Sequence, residues 1–153
     1  MCSYIGYNAF YTCSALTSVT IPSSINTVGD YVFQDCTSLT TVVIPAALTR
    51  IPLGTFSGCT KLTNVTISEG VLRIDESAFV GCSALTEITL PASLTNIEVS
   101  AFEYCSKLTS VTINRNKSST LIIAENAFSG CRATITYRGK TYTPDNYSEL
   151  YTE

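Results

Sequence analysis

Seven cysteines, twelve carboxylate side chains and no histidine make up the reactive inventory of this 153-residue chain. Without imidazole, the chain itself can assemble no Ser-His-Asp triad, no Cys-His dyad and no His-containing metal site. Thiolate metal binding needs clustered ligands such as Cys-x-x-Cys, and none occurs. The carboxylates at Asp30, Asp75, Glu76, Glu98, Glu103 and Glu125 are scattered. Asp75-Glu76 is the one adjacent acidic pair. It precedes a short turn segment, where negative charge is favourable at a helical start. No cofactor and no metal is expected.

The cysteines are instead one column of a tandem array. All six phenylalanines stand at Phe10, Phe33, Phe56, Phe79, Phe102 and Phe128, with spacings of 23 residues four times and then 26. Three residues after each comes Cys13, Cys36, Cys59, Cys82, Cys105 or Cys131, and three further on Leu16, Leu39, Leu62, Leu85 or Leu108. Val19, Val42, Val65, Ile88 and Val111 follow, then Ile21, Ile44, Ile67, Leu90 and Ile113. Five before each Phe is an aliphatic: Ile5, Val28, Ile51, Ile74, Ile97 or Ile123. A fixed period of this length is the mark of a repeat architecture.

Within a unit, the L-T-x-V-T-I segment alternates with period two, which predicts a short strand with one buried face. Pro22, Pro45 and Pro91 follow it and end the pairing. The A-F-x-G-C segment predicts a tight helical or 3-10 turn. Gly58, Gly81 and Gly130 suit a left-handed residue two after the Phe; Asp35 can adopt it, while Thr12 and Tyr104 fit less well. One unit cannot bury its own apolar face, so the coils must stack, with Phe on Phe and Cys on Cys about 4.8 Å apart. About five strand rungs are expected on one side and turns on the other. Cysteine in such a column reads first as a small core residue. A disulfide between adjacent rungs remains the alternative, disfavoured because ladder Cβ vectors run parallel. Cys2, eight before Phe10, falls in the slot of Ile25, Leu48, Val71 and Leu94 and is expected in the core.

Threonine forms columns at Thr17, Thr40, Thr63, Thr86 and Thr109, and at Thr20, Thr66, Thr89 and Thr112 with Val43 between. These suit a pleated, half-exposed surface on which the hydroxyl bonds to the next rung. The outward residues of the strand side are Ser18, Thr20, Thr41, Val43, Asn64, Thr66, Glu87, Thr89, Ser110 and Thr112. They change between units while the inward set does not, as a recognition face requires, and a plain solvated face shows the same pattern. No aromatic or arginine, the residues that dominate binding hot spots, is among them.

Only 14% of residues are charged and 45% are hydrophobic, the reverse of a disordered chain. A net charge of −3 gives no basic footprint for nucleic acid. No stretch approaches the ~18 apolar residues of a membrane helix, so no direct membrane insertion is expected. Residues 1–12 lack the charged start and apolar run of a secretory signal. Toward the C-terminus, three extra residues within Asn114–Thr120 form a polar, positively charged loop. Thr134 stands where leucine is expected after Cys131, and Ile135–Tyr142 reads as a hairpin turning at Arg138-Gly139.

These features resemble the BspA-like class of bacterial leucine-rich repeats. The general pattern appears as Leu62-Thr-Asn-Val65-Thr-Ile67, and the more specific marks as Ser77-Ala78-Phe79-Val80-Gly81-Cys82 within a 23-residue period. The resemblance implies an α/β repeat solenoid: a right-handed coil or horseshoe with a short parallel β-sheet on the concave face and tight helical or 3-10 turns on the convex face. Residues 1–134 would be the array and 135–153 a capping hairpin and tail. It further implies a non-enzymatic protein-binding or adhesion module of a cell-surface or secreted protein, with a protein ligand, host matrix or receptor among the candidates. The ten outward residues would then be its binding face. Coils that begin partway through a unit and without a leader fit a piece of something longer. The alternative function is structural, a subunit that self-associates end to end through its first coil.

Overall fold

The structure, a computed structural model, describes residues 2–114 and 120–151. The polar loop expected within Asn114–Thr120 falls almost wholly outside them. Strands are numbered in chain order, and two kinds alternate. The longer strands are β2 (Ser18–Thr20), β4 (Thr41–Ile44), β6 (Asn64–Ile67), β8 (Glu87–Leu90), β10 (Ser110–Ile113) and β12 (Thr134–Tyr137). The two-residue strands are β1 (Tyr4–Ile5), β3 (Thr27–Val28), β5 (Arg50–Ile51), β7 (Arg73–Ile74), β9 (Asn96–Ile97) and β11 (Ile122–Ile123). All pairings among these strands are parallel and join successive coils, Val42 opposite Val65 and Ile74 opposite Ile97, for example. The chain is a β-solenoid of about six turns, named here coils 1 to 6 after Phe10 through Phe128.

The phenylalanines form one column, with centroids 5.1–5.5 Å apart and near-parallel rings. Cys36, Cys59, Cys82 and Cys105 are fully buried beside it and Cys131 nearly so. All seven cysteines are free thiols. Each buried thiol donates to the Phe carbonyl of the preceding coil, Cys59 to Phe33 at 3.2 Å and Cys131 to Phe102 at 3.0 Å. A small residue carrying a donor is therefore useful at this register, because the acceptor lies one coil away inside the core.

The turn segments are not helices. Their amides alternate between two destinations. In coil 2, Tyr31, Phe33 and Asp35 donate N–H to Leu53, Thr55 and Ser57 of coil 3, while Gln34 and Cys36 donate within the coil to Tyr31 and Phe33. A helix would keep every amide within its own coil. The reason lies in two left-handed residues per coil. Thr12, Asp35, Gly58, Gly81, Tyr104 and Gly130, two after each Phe, all have φ between 55° and 71°. Asn8, Tyr31, Gly54, Ser77, Ser100 and Asn126, two before it, have φ between 55° and 62°. Each such residue interrupts a right-handed run, and in coils 1 to 4 its own amide donates to the neighbouring coil, as Asp35 does to Ser57 and Gly58 to Val80. Among the described residues, helix is confined to the tail, a 3-10 turn at Pro144–Asn146 and α1 at Tyr147–Leu150.

Two further expectations are corrected. Cys2 is exposed; its slot faces the open end of coil 1, where Phe10 is also 39% exposed. Thr134 does not fill a leucine slot. It pairs with Ser110, and Ile135 with Val111, so the path after Cys131 is two residues shorter than in other coils. β12 is thus a sixth rung. The hairpin lies where it was expected: β13 (Lys140–Tyr142) returns antiparallel to β12 through Arg138 and Gly139, both at positive φ. Tyr147 closes the ring column, tilted 55° over Phe128, with its hydroxyl donating to the Ala133 carbonyl.

Candidate functional site

The outward residues sit as the two-residue period dictates, on one face of the long strands. Ser18, Thr20, Asn64, Thr66, Glu87, Thr89, Ser110 and Thr112 are exposed, and Thr41 and Val43 are half-buried. Register aligns them in two rows, Ser18–Thr41–Asn64 and Thr20–Val43–Thr66 in the first three coils, then Glu87–Ser110 and Thr89–Thr112. Thr134 and Thr136 extend both rows by one rung. Sequence reasoning missed that pair by carrying the 26-residue spacing past Cys131; the alternation of Ile135 and Tyr137 was the available signal.

The rows do not form one sheet. β2, β4 and β6 are hydrogen-bonded together, as are β8, β10, β12 and β13, but no ladder joins β6 to β8. The threonine column marks the same seam. Thr40, Thr63 and Thr109 each donate Oγ1 to the threonine carbonyl one coil back, at 3.0, 3.2 and 3.1 Å. Thr86 makes no such bond to Thr63. The Phe56 and Phe79 rings, which span the seam, are inclined by 15°, against 2–9° for the other phenylalanine pairs. Coils 3 and 4 are wedged apart on the strand side alone.

The wedge opens a cleft of about 460 Å³. Asn64, Val65, Thr66 and Ile67 form one wall and Glu87, Ile88 and Thr89 the other, with Glu69, Pro91 and Asn114 at one end. Val65 is half-exposed here, whereas Val42, Ile88 and Val111 of neighbouring coils are buried. Coil 3 also differs in sequence, with Ser68-Glu69-Gly70 where its neighbours, coils 2 and 4, have Pro45-Ala46 and Pro91-Ala92. Glu69 uses that freedom to accept N–H bonds from Ala92 and Ser93 of coil 4, at 2.9 and 3.1 Å. The Ala92 amide is the chief reason its carboxyl is held below the usual range, with Ser93 adding to it. Ser93 Oγ bridges the Gly70 amide and the Val71 carbonyl. Gly70 has φ 108°, and a Cβ there would meet the Ala46 carbonyl at 2.9 Å. The cleft is thus pinned at one end and open along the strands.

On the short-strand side lies an ionic chain that the sequence reading did not find. Arg50 and Arg73, one period apart and paired in register, share Asp75 at 3.2 and 2.7 Å. Asp30 and Glu98 extend the chain at 3.9 and 3.3 Å. Asp75 is buried, and its role is to hold successive coils together. Among the described residues no three His, Cys, Asp or Glu side chains converge as a metal site would require, and no helix is long and apolar enough to cross a membrane.

Comparison with known proteins agrees with this architecture. A leucine-rich repeat protein from Bacteroides ovatus is 32% identical with a TM-score of 0.75, matching 84% of this chain and 32% of its own. A leucine-rich cell surface protein from Faecalibacterium prausnitzii is 35% identical with a TM-score of 0.74, matching 86% and 35%. A third, from Eubacterium ventriosum, is 28% identical with a TM-score of 0.78, matching 92% and 39%. The chain therefore spans about a third of the length of these structures. No curated protein matches the sequence significantly. The model of the BspA-type leucine-rich repeat region matches residues 3–135 in six copies, in keeping with the six stacked rings and six long strands, and the chain belongs to that family.

Proposed function

We propose that the chain is a non-enzymatic protein-binding module whose long-strand face, taken as the concave side, carries the contact. One observation supports this above the others: a fixed, interlocked core presents in-register rows whose polar side chains differ from coil to coil. Such rows are a scaffold for specificity. The wedge adds concavity to an otherwise even face, and concave sites are where partners gain buried area. Cell-surface or secreted placement belongs to the same reading, since the F. prausnitzii relative is described as a cell surface protein. The test is photo-crosslinking with benzoylphenylalanine at Thr20, Thr66 or Thr112, against controls at Lys61 and Lys107 on the turn side. Discrete adducts from the strand positions only, lost on Glu87→Arg with Asn64→Arg, are expected. Equal adducts from the turn side would reject the reading.

One observation favours the structural alternative. Coil 1 leaves an apolar hollow of about 300 Å³ between Ile5, Phe10, Leu16, Val19 and Phe33, a surface on which a second copy could stack. Light scattering across a hundredfold concentration range decides it. A constant monomer mass rejects end-to-end association.

A further inference from the structure

We propose that the cleft between β6 and β8 receives an arginine side chain of the partner protein, its stem lying over Val65 and Ile88 and its guanidinium against Glu87 and the Thr63 carbonyl. The inference rests on the strand-face reading above and names the chemistry of its partner. Three features choose this occupant.

The first is charge. Glu69 and Glu87 both line the cleft, and among the described residues no lysine or arginine does. The Glu87 side chain makes no hydrogen bond or ion pair among the described residues, so its carboxylate is available. Glu69 is already fixed by two amides and supplies a stationary negative charge at the pinned end.

The second is the backbone. At every other step of the array from coil 1 to coil 5, the threonine carbonyl accepts the next coil's threonine hydroxyl. At the seam, the Thr63 carbonyl has no hydrogen-bond donor among the described residues. A planar guanidinium carries five donors in a fixed fork and can serve a carboxylate and a carbonyl together. An ammonium offers a point charge without that span.

The third is the floor. Half-exposed Val65 beside Ile88 is an apolar strip under a polar rim, the surface along which arginine lays its methylenes while its head stays at the edge.

The test uses the ¹⁵N-labelled chain titrated with acetyl-Gly-Arg-Gly-amide, and in parallel with the peptide carrying citrulline, the neutral isostere. The arginine peptide is expected to shift the amides of Asn64–Ile67 and Glu87–Thr89 saturably. Citrulline should bind about tenfold more weakly, and so should arginine to Glu87→Gln. Raising salt from low to about 0.5 M should weaken arginine binding several-fold. Equal affinity for citrulline overturns the proposal. So do shifts spread over Asp30, Glu76 and Glu103, or no saturation in the millimolar range. The wider reading fails separately, because introducing charge with Ser18→Arg and Ser110→Arg, at positions that line no part of the cleft, tests the face without touching the peptide site.

Discussion

Truncating Phe79 to alanine removes the centre of the ring column. Phe79 is fully buried and stacks on Phe56 at 5.3 Å and Phe102 at 5.1 Å. Withdrawing its side chain forfeits about 1.5–3 kcal/mol of transfer free energy. Two aromatic contacts add about 0.5–1.5 kcal/mol each, and coils clamped on both sides leave little room to collapse into the void. The total falls near the upper part of the usual 3–5 kcal/mol for such a truncation. Phe10 provides the internal control. It has the same register and chemistry, but it is 39% exposed and stacks on one ring only, Phe33, at 5.3 Å. Phe10→Ala should therefore cost about 1–2 kcal/mol. With a urea slope of about 2 kcal/mol/M, the midpoint should drop by about 2 M for Phe79→Ala and by less than about 1 M for Phe10→Ala. Equal shifts would show that the column does not act as a stack whose members gain from both neighbours, and the energetic argument for the solenoid would fail.

Gly81→Ala isolates the backbone requirement, since an added Cβ there meets nothing within 4 Å and φ is +71°; a loss of about 1 kcal/mol in urea denaturation is expected. Ser77→Gly, at φ 55°, should move stability the other way by about 0.5–1 kcal/mol. Thr109→Val loses the bond to the Thr86 carbonyl and should cost about 1 kcal/mol. Thr86→Val, at the seam, should change stability by less than about 0.5 kcal/mol, and an equal cost would deny the interruption. Burial pushes the Cys59 thiol up from 9.0 to about 12. Between those values the unfolded chain releases a proton that the folded chain keeps, so stability falls as pH rises, by about 1.4 kcal/mol per pH unit for that thiol. Below pH 9 this group adds no pH dependence. Urea midpoints at pH 8, 9.5 and 11 should show a shallower fall for Cys59→Val than for the parent chain, and parallel curves would refute the assignment.

What could be read from the sequence was whatever the period repeats without exception. Phe, Cys, Leu and the inward aliphatics announce the column and the strand registers because each must fill the same slot in every coil. The left-handed site two after Phe was visible through Gly58, Gly81 and Gly130. Its twin two before Phe was not, because only Gly54 marks it; the other five positions hold Asn, Tyr or Ser. A left-handed non-glycine costs about 1–2 kcal/mol, and each turn is fixed between two neighbours firmly enough to bear it. The A-F-x-G-C segments, too short for a full helix, read as tight helical or 3-10 turns. Their amides instead find partners one coil away, a choice that only stacking offers. The shortened path at Cys131–Thr134 was hidden by treating the 26-residue step as constant through the last coil. The seam was the least legible feature, since Thr63 and Thr86 look like every other member of their column.

The position of that seam follows from how coils 3 and 4 are held. Successive coils are joined along up to three lines of contact, turn amides, short strands and long strands; the short-strand line is missing between coils 2 and 3, where β3 and β5 form no ladder. Between coils 3 and 4 the first line is complete, with Gly54, Phe56 and Gly58 donating to Glu76, Ala78 and Val80 at 3.1, 2.8 and 2.9 Å. The second is complete too, through β5 with β7 and the shared Asp75. The Cys82 thiol still reaches the Phe56 carbonyl, so the core is not breached. Only the long-strand line is open, and there Glu69 replaces ladder bonds with a side-chain clamp set beyond the strand ends. Opening at either other line would separate buried rings or strand a buried carboxylate. Opening at this one exposes part of a valine and a few polar groups. Between coils 3 and 4 the array therefore departs from regularity at small cost on the side that carries the variable residues; the break between β3 and β5 lies on the other side, one coil earlier. A partner that closes the cleft would restore hydrogen bonds that the stack itself leaves unmade, so its binding should raise the protection of the Val65 and Glu87 amides from exchange while leaving those of Phe56 and Phe79 unchanged. Protection gained equally on the turn side would mean that the coils shift as a whole and that the seam is no special place.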